Sequence, residues 1–142
     1  MKSLARCDHG ILAAEMAVIL PVLLLFLLSL MEGARIVSGW VILTNEAREA
    51  ARYGAINDYN VVCSDSSTIT SWTNSVTALA TSNVGHMLDT STLTVTPTLD
   101  CSTGAPTTSQ VALTYAMSTI NPLVHAVLPT VTVWSASVMR AE

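Results

Sequence analysis

Residues 10–31 read GILAAEMAVILPVLLLFLLSLM, and this stretch decides how the rest of the chain is arranged. Glu15 is the only charged side chain in the apolar run from Ile11 to Met31. At about 1.5 Å per helical residue, the run is about 30 Å long, which matches the hydrocarbon core of a bilayer. A buried helix of a soluble protein is rarely apolar on every side. The sequence therefore predicts a transmembrane helix over residues 11–31.

A cleavable secretory signal is the main alternative for this run. The apolar region of such a signal is usually about 7–15 residues long and ends at a cleavage site made of small residues. The run here is longer, and the sequence MEGA at residues 31–34 is a poor site of that kind. A retained anchor is therefore favoured over a conventional signal peptide.

Basic side chains do not decide the orientation of the span, because Lys2 and Arg6 precede it and Arg35, Arg48 and Arg52 follow it closely. The cysteines are more informative. Cys63 and Cys101 lie in the polar half of the chain and can pair, which suits an oxidising exterior. Two unpaired thiols remain the alternative. Pairing would place the N-terminus in the cytoplasm and the C-terminal domain outside it.

The composition bounds the domain count and the class of partner. The chain has 142 residues, which is enough for one domain. Apolar residues make up 51% of it and charged residues 11%, whereas globular chains carry about 25% charged residues. The net charge is −4, and Arg140 is the only basic residue after Asn57. A nucleic-acid partner is not predicted, because such proteins concentrate Lys and Arg on one face.

The apolar pattern continues past the span at helical spacing. Apolar side chains recur every three or four residues at Ile36, Trp40, Leu43, Ala47 and Ala50. Charged side chains cover the other faces, and Gly54 is the predicted helix stop. Residues 32–54 are therefore predicted to be an amphipathic continuation of the membrane helix.

Two local features modify this long helix. Pro21 lacks a backbone N–H, so it should kink or loosen the membrane half. The pairs Glu32–Arg35 and Glu49–Arg52 have the favourable i,i+3 order. Each pair should stabilise the helix by a few tenths of a kcal/mol.

Residues 55–142 are predicted to form an extracytoplasmic α+β domain. A helical period follows a loop, with a cap among residues 66–68 and an end at Gly85. Period-two alternation then predicts three strands around Leu93–Leu99, Val111–Met117 and Thr130–Arg140. Pro97 places the first strand at a sheet edge, and one or two helical turns are expected near residues 123–128. The fold class is therefore a long N-terminal helix with a second helix packed on a three-stranded antiparallel sheet.

The N-terminal pattern resembles that of a known group of proteins. A short charged leader ending in Gly10, an acid at the fifth following residue and a long apolar helix are marks of a type IV prepilin. The segments AAEMAVILPVLLLFLL, GAR, LTNEAREAARYGA and the terminal SASVMRAE resemble the TadE-like pseudopilin family of the tight-adherence (Flp) pilus system. The resemblance covers nearly the first 55 residues and returns at the last strand.

The resemblance implies processing and partners. Prepilin peptidase, an aspartic protease of the membrane, would cut between Gly10 and Ile11 and remove residues 1–10 as a cytoplasmic leader. Glu15 would become the fifth residue of the mature chain, and Met16 departs from the Phe or Tyr that usually follows the acid. The implied partners are the peptidase, other pilins and pseudopilins, the inner-membrane assembly platform and the lipid bilayer.

Physical chemistry supplies a reason for the acid. Cleavage would leave a cationic α-amino group on Ile11 at the start of the membrane helix. A carboxylate about one turn away is favourable near a helix N-terminus, and an acid within a span is a functional-site candidate. We therefore predict that Glu15 pairs with the Ile11 amino group of an adjacent subunit and sets the axial stagger of the helices. The alternative is that Glu15 reaches toward the cytoplasmic headgroups.

Catalysis and metal binding are not predicted. His86, Asp89 and His125 occur near no nucleophile-elbow motif, and the histidines and cysteines do not have zinc spacing. No enzymatic activity and no cofactor are therefore expected.

The predicted function is that of a minor pilin-like subunit in Flp/Tad pilus assembly, which supports surface adherence. It would be a single-pass protein of the bacterial inner membrane with a periplasmic domain. The alternative is an uncleaved, membrane-anchored accessory or binding domain of a secretion or cell-surface system. A secreted soluble domain is a third interpretation. Processing at Gly10 would distinguish among them.

Overall fold

The structure is a computed structural model that describes residues 5–58, 61–85, 88–102 and 104–140. The helices and strands follow in the order α1 (Ala5–Ile56), α2 (Ser66–Val84), β1 (Leu93–Asp100), β2 (Thr108–Ser118), α3 (Pro122–Val127) and β3 (Thr130–Arg140). A short 3-10 turn at Thr90–Thr92 precedes β1. This architecture confirms the predicted α+β class, with one long apolar helix, a second helix and a three-stranded antiparallel sheet.

The sheet has β2 at its centre, with β1 and β3 antiparallel on either side. Tyr115 of β2 lies opposite Leu93 on one side and opposite Val133 on the other. Pro97 is therefore on an edge strand, as predicted, where its missing N–H can face away from the ladder.

Both long helices cover the same face of this sheet. α1 packs on β2 and β3, and α2 packs on α1 and β1. Buried and less buried side chains alternate along each strand, as a sheet with one covered face requires. The core between the layers includes Leu43, Ala47, Ala50, Ala51, Trp72, Val76, Ala80, Val111, Leu113, Tyr115, Met117 and Val133.

α1 has two different surfaces along its length. The side chains of residues 12–31 are exposed, apart from half-buried Leu25. From Glu32 onward the helix contributes to the core, and Leu43 and Ala47 are fully buried. The helix is long and apolar enough to cross a membrane, and its most apolar window is 0% buried. Soluble monomers rarely expose so large a continuous apolar surface.

The buried stripe of α1 agrees with the predicted one at Leu43, Ala47 and Ala50 but not at Trp40. Trp40 is predicted on the apolar face, yet 52% of it is exposed. Gly39 takes the inward position instead, because a Cβ at Gly39 would already lie 3.2 Å from the sulfur of Met117. A helix turns by about 100° per residue, so burial of Gly39 directs Trp40 outward.

The prediction that α1 stops at Gly54 is wrong, because the helix continues to Ile56. Among the described residues only Gly104 has a positive φ, so Gly54 does not act as a left-handed cap. Its role is close packing. A Cβ at Gly54 would clash with Ser109 Oγ and lie 2.9 Å from the Trp72 ring. The indole N–H of Trp72 also donates to the Gly54 carbonyl at 3.0 Å.

The second helix begins with a different cap from the one predicted. The N-cap is Asp65, whose Oδ1 accepts from the backbone N–H of Ser67 at 2.9 Å and from its hydroxyl at 2.8 Å. Asp is as good a cap as Ser because its short side chain reaches the same N–H groups. The helix ends before Gly85, as predicted.

A Cys63–Cys101 disulfide joins the loop before α2 to the turn after β1. The two cysteines are 38 residues apart in the chain. A cross-link over a loop of this length commonly stabilises a domain by about 2–4 kcal/mol. The bond ties the α2 layer to the sheet at the end away from the apolar half of α1.

We expect Gly54→Ala to lower the free energy of unfolding by about 1–3 kcal/mol, because the new methyl group overpacks against Trp72 and Ser109. Gly33→Ala is the matched control, since a Cβ there meets nothing within 4 Å. Both changes gain about 1 kcal/mol of helix propensity. Denaturant unfolding of the detergent-solubilised chain measures the difference. Equal stability of the two variants would contradict the close-packing role of Gly54.

Candidate functional site

Gly10 and Glu15 lie on the exposed N-terminal part of α1. Five helical residues separate them by a rise of about 7.5 Å. Outside the local helix backbone, no described atom lies within 4 Å of where a Cβ on Gly10 would stand. Glycine costs about 1 kcal/mol relative to alanine within a helix. Packing against the described atoms therefore gives no reason for a glycine at residue 10.

Among the residues that the structure describes, none is a partner of Glu15. Its side chain is exposed. Within the part of the chain that the structure describes, its carboxylate makes no hydrogen bond or ion pair. Ile11 is helical in backbone, and its side chain lies outside the described set. The pairing predicted for Glu15 involves another molecule and stays a prediction.

Pro21 lies inside α1 and does not end it. Because proline has no N–H, one hydrogen bond of the helix, to the Ala17 carbonyl, is not made. The predicted kink at this position stays a prediction.

A polar cluster, called the junction here, marks the place where α1 enters the exterior domain. Glu32 is only 6% exposed. Its Oε1 accepts from Arg35 Nη2 at 3.0 Å, and its Oε2 accepts from the backbone N–H of Ile120 at 3.2 Å. Arg35 Nη2 also donates to the carbonyl of Ser118. Each carboxylate oxygen of Glu32 therefore has a hydrogen-bond partner.

The junction extends into the apolar half of the helix through Asn121. The Nδ2 group of Asn121 donates to Ser29 Oγ at 3.0 Å. Ser29 in turn donates to the carbonyl of Leu25 at 2.8 Å. Ser29 is the only polar side chain between Glu15 and Glu32. The loop after β2 is thus held to α1 on both sides of the end of the apolar run.

Burial makes the junction energetically important. A buried carboxylate is costly unless it is paired and hydrogen-bonded, and a hydrogen bond to a charged group contributes about 1.5–3 kcal/mol. Glu32 makes two such bonds, one to Arg35 on its own helix and one to Ile120, which is 88 residues further along the chain. The junction therefore fixes the position of the exterior domain along the helix.

Several carboxylates away from the junction have shifted pKa values with structural causes. Burial raises the pKa of Asp58, whose Oδ2 has no hydrogen-bond partner among the described residues. Hydrogen bonds from Ser67, Ser91 and Ser102 lower the pKa values of the exposed residues Asp65, Asp89 and Asp100. These last three carboxylates cap turns, since each accepts from the backbone N–H two residues later.

Two of the residues considered for catalysis in the sequence make local structural contacts. Asp89 caps the 3-10 turn, and His125 Nδ1 lies 3.2 Å from the hydroxyl of Thr119. His86 lies outside the described residues. Among those described, no group of three His, Cys, Asp or Glu side chains could hold a metal ion. The absence of enzymatic activity stays a prediction.

An open groove of about 680 Å³ runs between α1 and β3. Its lining is mostly apolar and carries no charged side chain. Trp40 and Trp134 stand on its two sides, and both are exposed. Such a surface can bury apolar atoms against another molecule but offers little to orient a polar substrate.

Sequence reasoning found the Glu32–Arg35 pair but missed the rest of the junction. The contacts of Ser118 with Arg35 and of Asn121 with Ser29 span 83 and 92 residues. No local pattern reports pairings over such distances. The available signal was the position of Glu32 as the first acid after the apolar run. The Glu49–Arg52 pair, also predicted, is not an ion pair within the described residues.

These features define a class of protein: an α+β domain built on the C-terminal half of a helix whose N-terminal half could span a membrane. A family model described as TadE-like protein matches residues 10–52. The TadE-like resemblance is thereby confirmed over this segment, from Gly10 through both halves of α1. The last strand lies outside the match. No curated protein and no solved structure shows a significant match.

We expect Glu32→Ala to lower the free energy of unfolding by roughly 2–4 kcal/mol, because it leaves the Ile120 N–H without its acceptor and removes the carboxylate that pairs with Arg35, which keeps only the Ser118 carbonyl. Glu49→Ala is the matched control, since Glu49 is an exposed acid of the same helix. Denaturant unfolding in detergent measures both. If the two variants were equally stable, the junction would not hold the domain to the helix.

Asp58→Asn is expected to raise the melting temperature at pH 7. The folded pKa of Asp58 is raised, so this residue favours folding below its unfolded pKa and loses that contribution as pH rises through the folded pKa. The gain should shrink below about pH 3.5, where the carboxyl is mostly protonated in both states.

Asp65→Asn is expected to change the melting temperature at pH 7 in the opposite direction. The folded pKa of Asp65 is lowered, so its contribution is present at pH 7 and is lost as pH falls through the folded pKa. This variant should melt lower than the parent at pH 7. The assignment would be contradicted if Asp58→Asn also melted lower at pH 7.

Proposed function

We propose that this chain is a minor pilin-like subunit, a pseudopilin, that takes part in Flp/Tad pilus assembly and supports surface adherence. The observation that carries the proposal is the TadE-like match over residues 10–52. The matched segment contains Gly10, Glu15 and the exposed apolar surface of α1. Prepilin peptidase would remove residues 1–10, leaving the helix in the bacterial inner membrane and the domain in the periplasm.

The working surface in this proposal is the apolar half of α1. Residues 12–31 are almost entirely exposed, and the described part of the domain reaches them at Ser29, which Asn121 contacts. The domain is built on residues 32–56 of the same helix. The apolar half can therefore exchange lipid for the helices of other pilins without disrupting the domain core. Other pilins and pseudopilins, and the inner-membrane assembly platform, are the proposed partners.

The surroundings of Gly10 support its assignment as a processing site. A side chain there would meet nothing nearby, and the same holds for Gly33. The two glycines differ in the residue five positions further along the chain. That residue is an acid, Glu15, in the case of Gly10, whereas it is Ser38 in the case of Gly33. Only the first glycine therefore has the spacing of a prepilin site.

The exposure of Glu15 supports a role between molecules. An acid at the centre of a span costs about 2.5–3.5 kcal/mol on insertion scales, and this carboxylate has no partner among the described residues of its own chain. After cleavage the Ile11 amino group of a neighbouring subunit would supply a positive charge at the membrane surface. Such a pair would set the axial stagger between helices.

Two contacts favour a retained helix over release of a soluble domain. Asn121 is hydrogen-bonded to Ser29, and the N–H of Ile120 is bonded to Glu32. A signal-peptidase cut after Ala34 would remove both partners and leave polar groups at the junction unsatisfied. An anchored chain keeps them.

The functional test uses a strain that lacks this chain and is complemented with variants. The parent sequence should restore pili and surface adherence. Glu15→Ala should reduce co-purification with the other pilins by roughly 5–30-fold, if the lost interaction within the membrane is worth about 1–2 kcal/mol. Glu49→Ala changes an exposed acid of the same helix outside the apolar half and should leave co-purification unchanged.

Two outcomes would contradict the proposal. Normal pili in the strain without the chain would remove its role in assembly. Wild-type co-purification of Glu15→Ala would remove the pairing of the carboxylate with neighbouring subunits.

A further inference from the structure

The segment from Ile120 to Leu128, called the α3 segment here, lies at the end of the domain nearest the apolar half of α1. The N–H of Ile120 donates to Glu32, and Asn121 donates to Ser29. Ser29 belongs to the apolar run, and Glu32 is the first charged residue after it. If α1 spans a bilayer, the α3 segment is therefore level with the membrane interface on the domain side.

The exposed side chains of this segment are apolar to an unusual degree. Ile120 is 69% exposed, Val127 is 78% exposed and Leu128 is 55% exposed. The sequence has no Asp, Glu, Lys or Arg between Cys101 and Met139. His125 is the only titratable side chain within the segment. The segment therefore has no acidic, lysine or arginine side chain that would oppose contact with lipid.

Several backbone groups of the α3 segment are hydrogen-bonded within the protein, as contact with an apolar environment requires. The N–H groups of His125 and Leu128 donate to the carbonyls of Asn121 and Val124, each at 2.7 Å. The carbonyl of Leu128 accepts from the Thr119 hydroxyl at 2.8 Å. Pro122, the first residue of α3, has no N–H to satisfy. Hydrogen bonding within the segment matters here, because an unsatisfied backbone group in lipid costs several kcal/mol.

The position of Arg35 agrees with an interface at this level. Its guanidinium lies beside Ser118, just before the α3 segment, and its side chain is 35% exposed. Arginine at the end of a membrane helix commonly reaches the headgroup region with its charge. A membrane interface accommodates both a basic group and an apolar surface at the same depth along the membrane normal.

We propose that the α3 segment inserts into the lipid interface on the domain side, with Ile120, Val127 and Leu128 at the boundary between headgroups and acyl chains. The inference rests on the proposed membrane span of α1. The protein then contacts the bilayer at two places, the helix and the α3 segment. Two contacts restrict rotation and tilt of the domain about the helix axis, which a single helix does not.

The test places one nitroxide at a time on the full-length chain in lipid nanodiscs, with Cys7→Ser as background and the disulfide kept. Val127→Cys and Ile120→Cys probe the α3 segment. Leu24→Cys is the reference for the bilayer, and Val138→Cys is the reference for water. Val138 is exposed and lies near the opposite end of the sheet, opposite Gln110. All four positions are exposed, so the labels should disturb the fold little.

The measured quantities are the accessibilities of each label to oxygen, which partitions into lipid, and to a neutral nickel chelate, which stays in water. Labels at residues 120 and 127 should lose nickel accessibility and gain oxygen accessibility relative to residue 138, shifting toward the values at residue 24. Water-like values at both positions, with lipid-like values at residue 24, would overturn this inference alone.

Two other outcomes separate the remaining explanations. Labels at residues 120 and 127 that are shielded from both reagents would indicate contact with a second copy of the chain and overturn the lipid contact. A water-like label at residue 24 would overturn the proposed membrane span, and with it both the proposed function and the α3 insertion.

Discussion

One continuous helix has to satisfy two environments, and the rest of the structure depends on how it does so. Residues 12–31 expose an apolar surface that water does not accommodate, whereas the following residues supply the core of a folded domain. The domain half presents small residues such as Ala47 and Gly54 to its neighbours, which lets α2 and the sheet approach the helix closely. Because the C-terminal half of α1 is part of the core, the domain and this half of the helix form one packed unit.

The junction at Glu32 is where the two environments meet. Its carboxylate is buried and bonded to Arg35 and to the loop after β2. The apolar surface of the helix ends at this charged group. The contacts of the loop with Glu32 and Ser29 fix the position of the domain along the helix. In the proposed pilus role, this arrangement lets the membrane half change its neighbours while the domain half keeps its packing. The proposed lipid contact of the α3 segment begins from the same place.

Much of the fold could be predicted from the sequence because one face of the sheet is covered and the other is open. Alternation located β3 at Thr130–Arg140 and placed Pro97 on an edge strand. The errors have physical reasons. A glycine needed for close packing, such as Gly54, looks the same in sequence as a helix stop. The inward turn at Gly39, which exposes Trp40, depends on Met117 in a distant strand. The candidate site divides in the same way: Glu15 stood out locally, whereas the junction required contacts across more than half of the chain.

The most direct test is the intact mass of the membrane-extracted protein, with and without co-expressed prepilin peptidase. The proposed function requires that Gly10 and Glu15 make the apolar helix an assembly element of the pilin type. We therefore predict a peptidase-dependent loss of residues 1–10 that leaves Ile11 as the N-terminus, and retention of the full sequence when Gly10 is replaced by leucine. An unchanged mass in the presence of active peptidase would contradict the claim, because Glu15 would then have no new amino group to pair with.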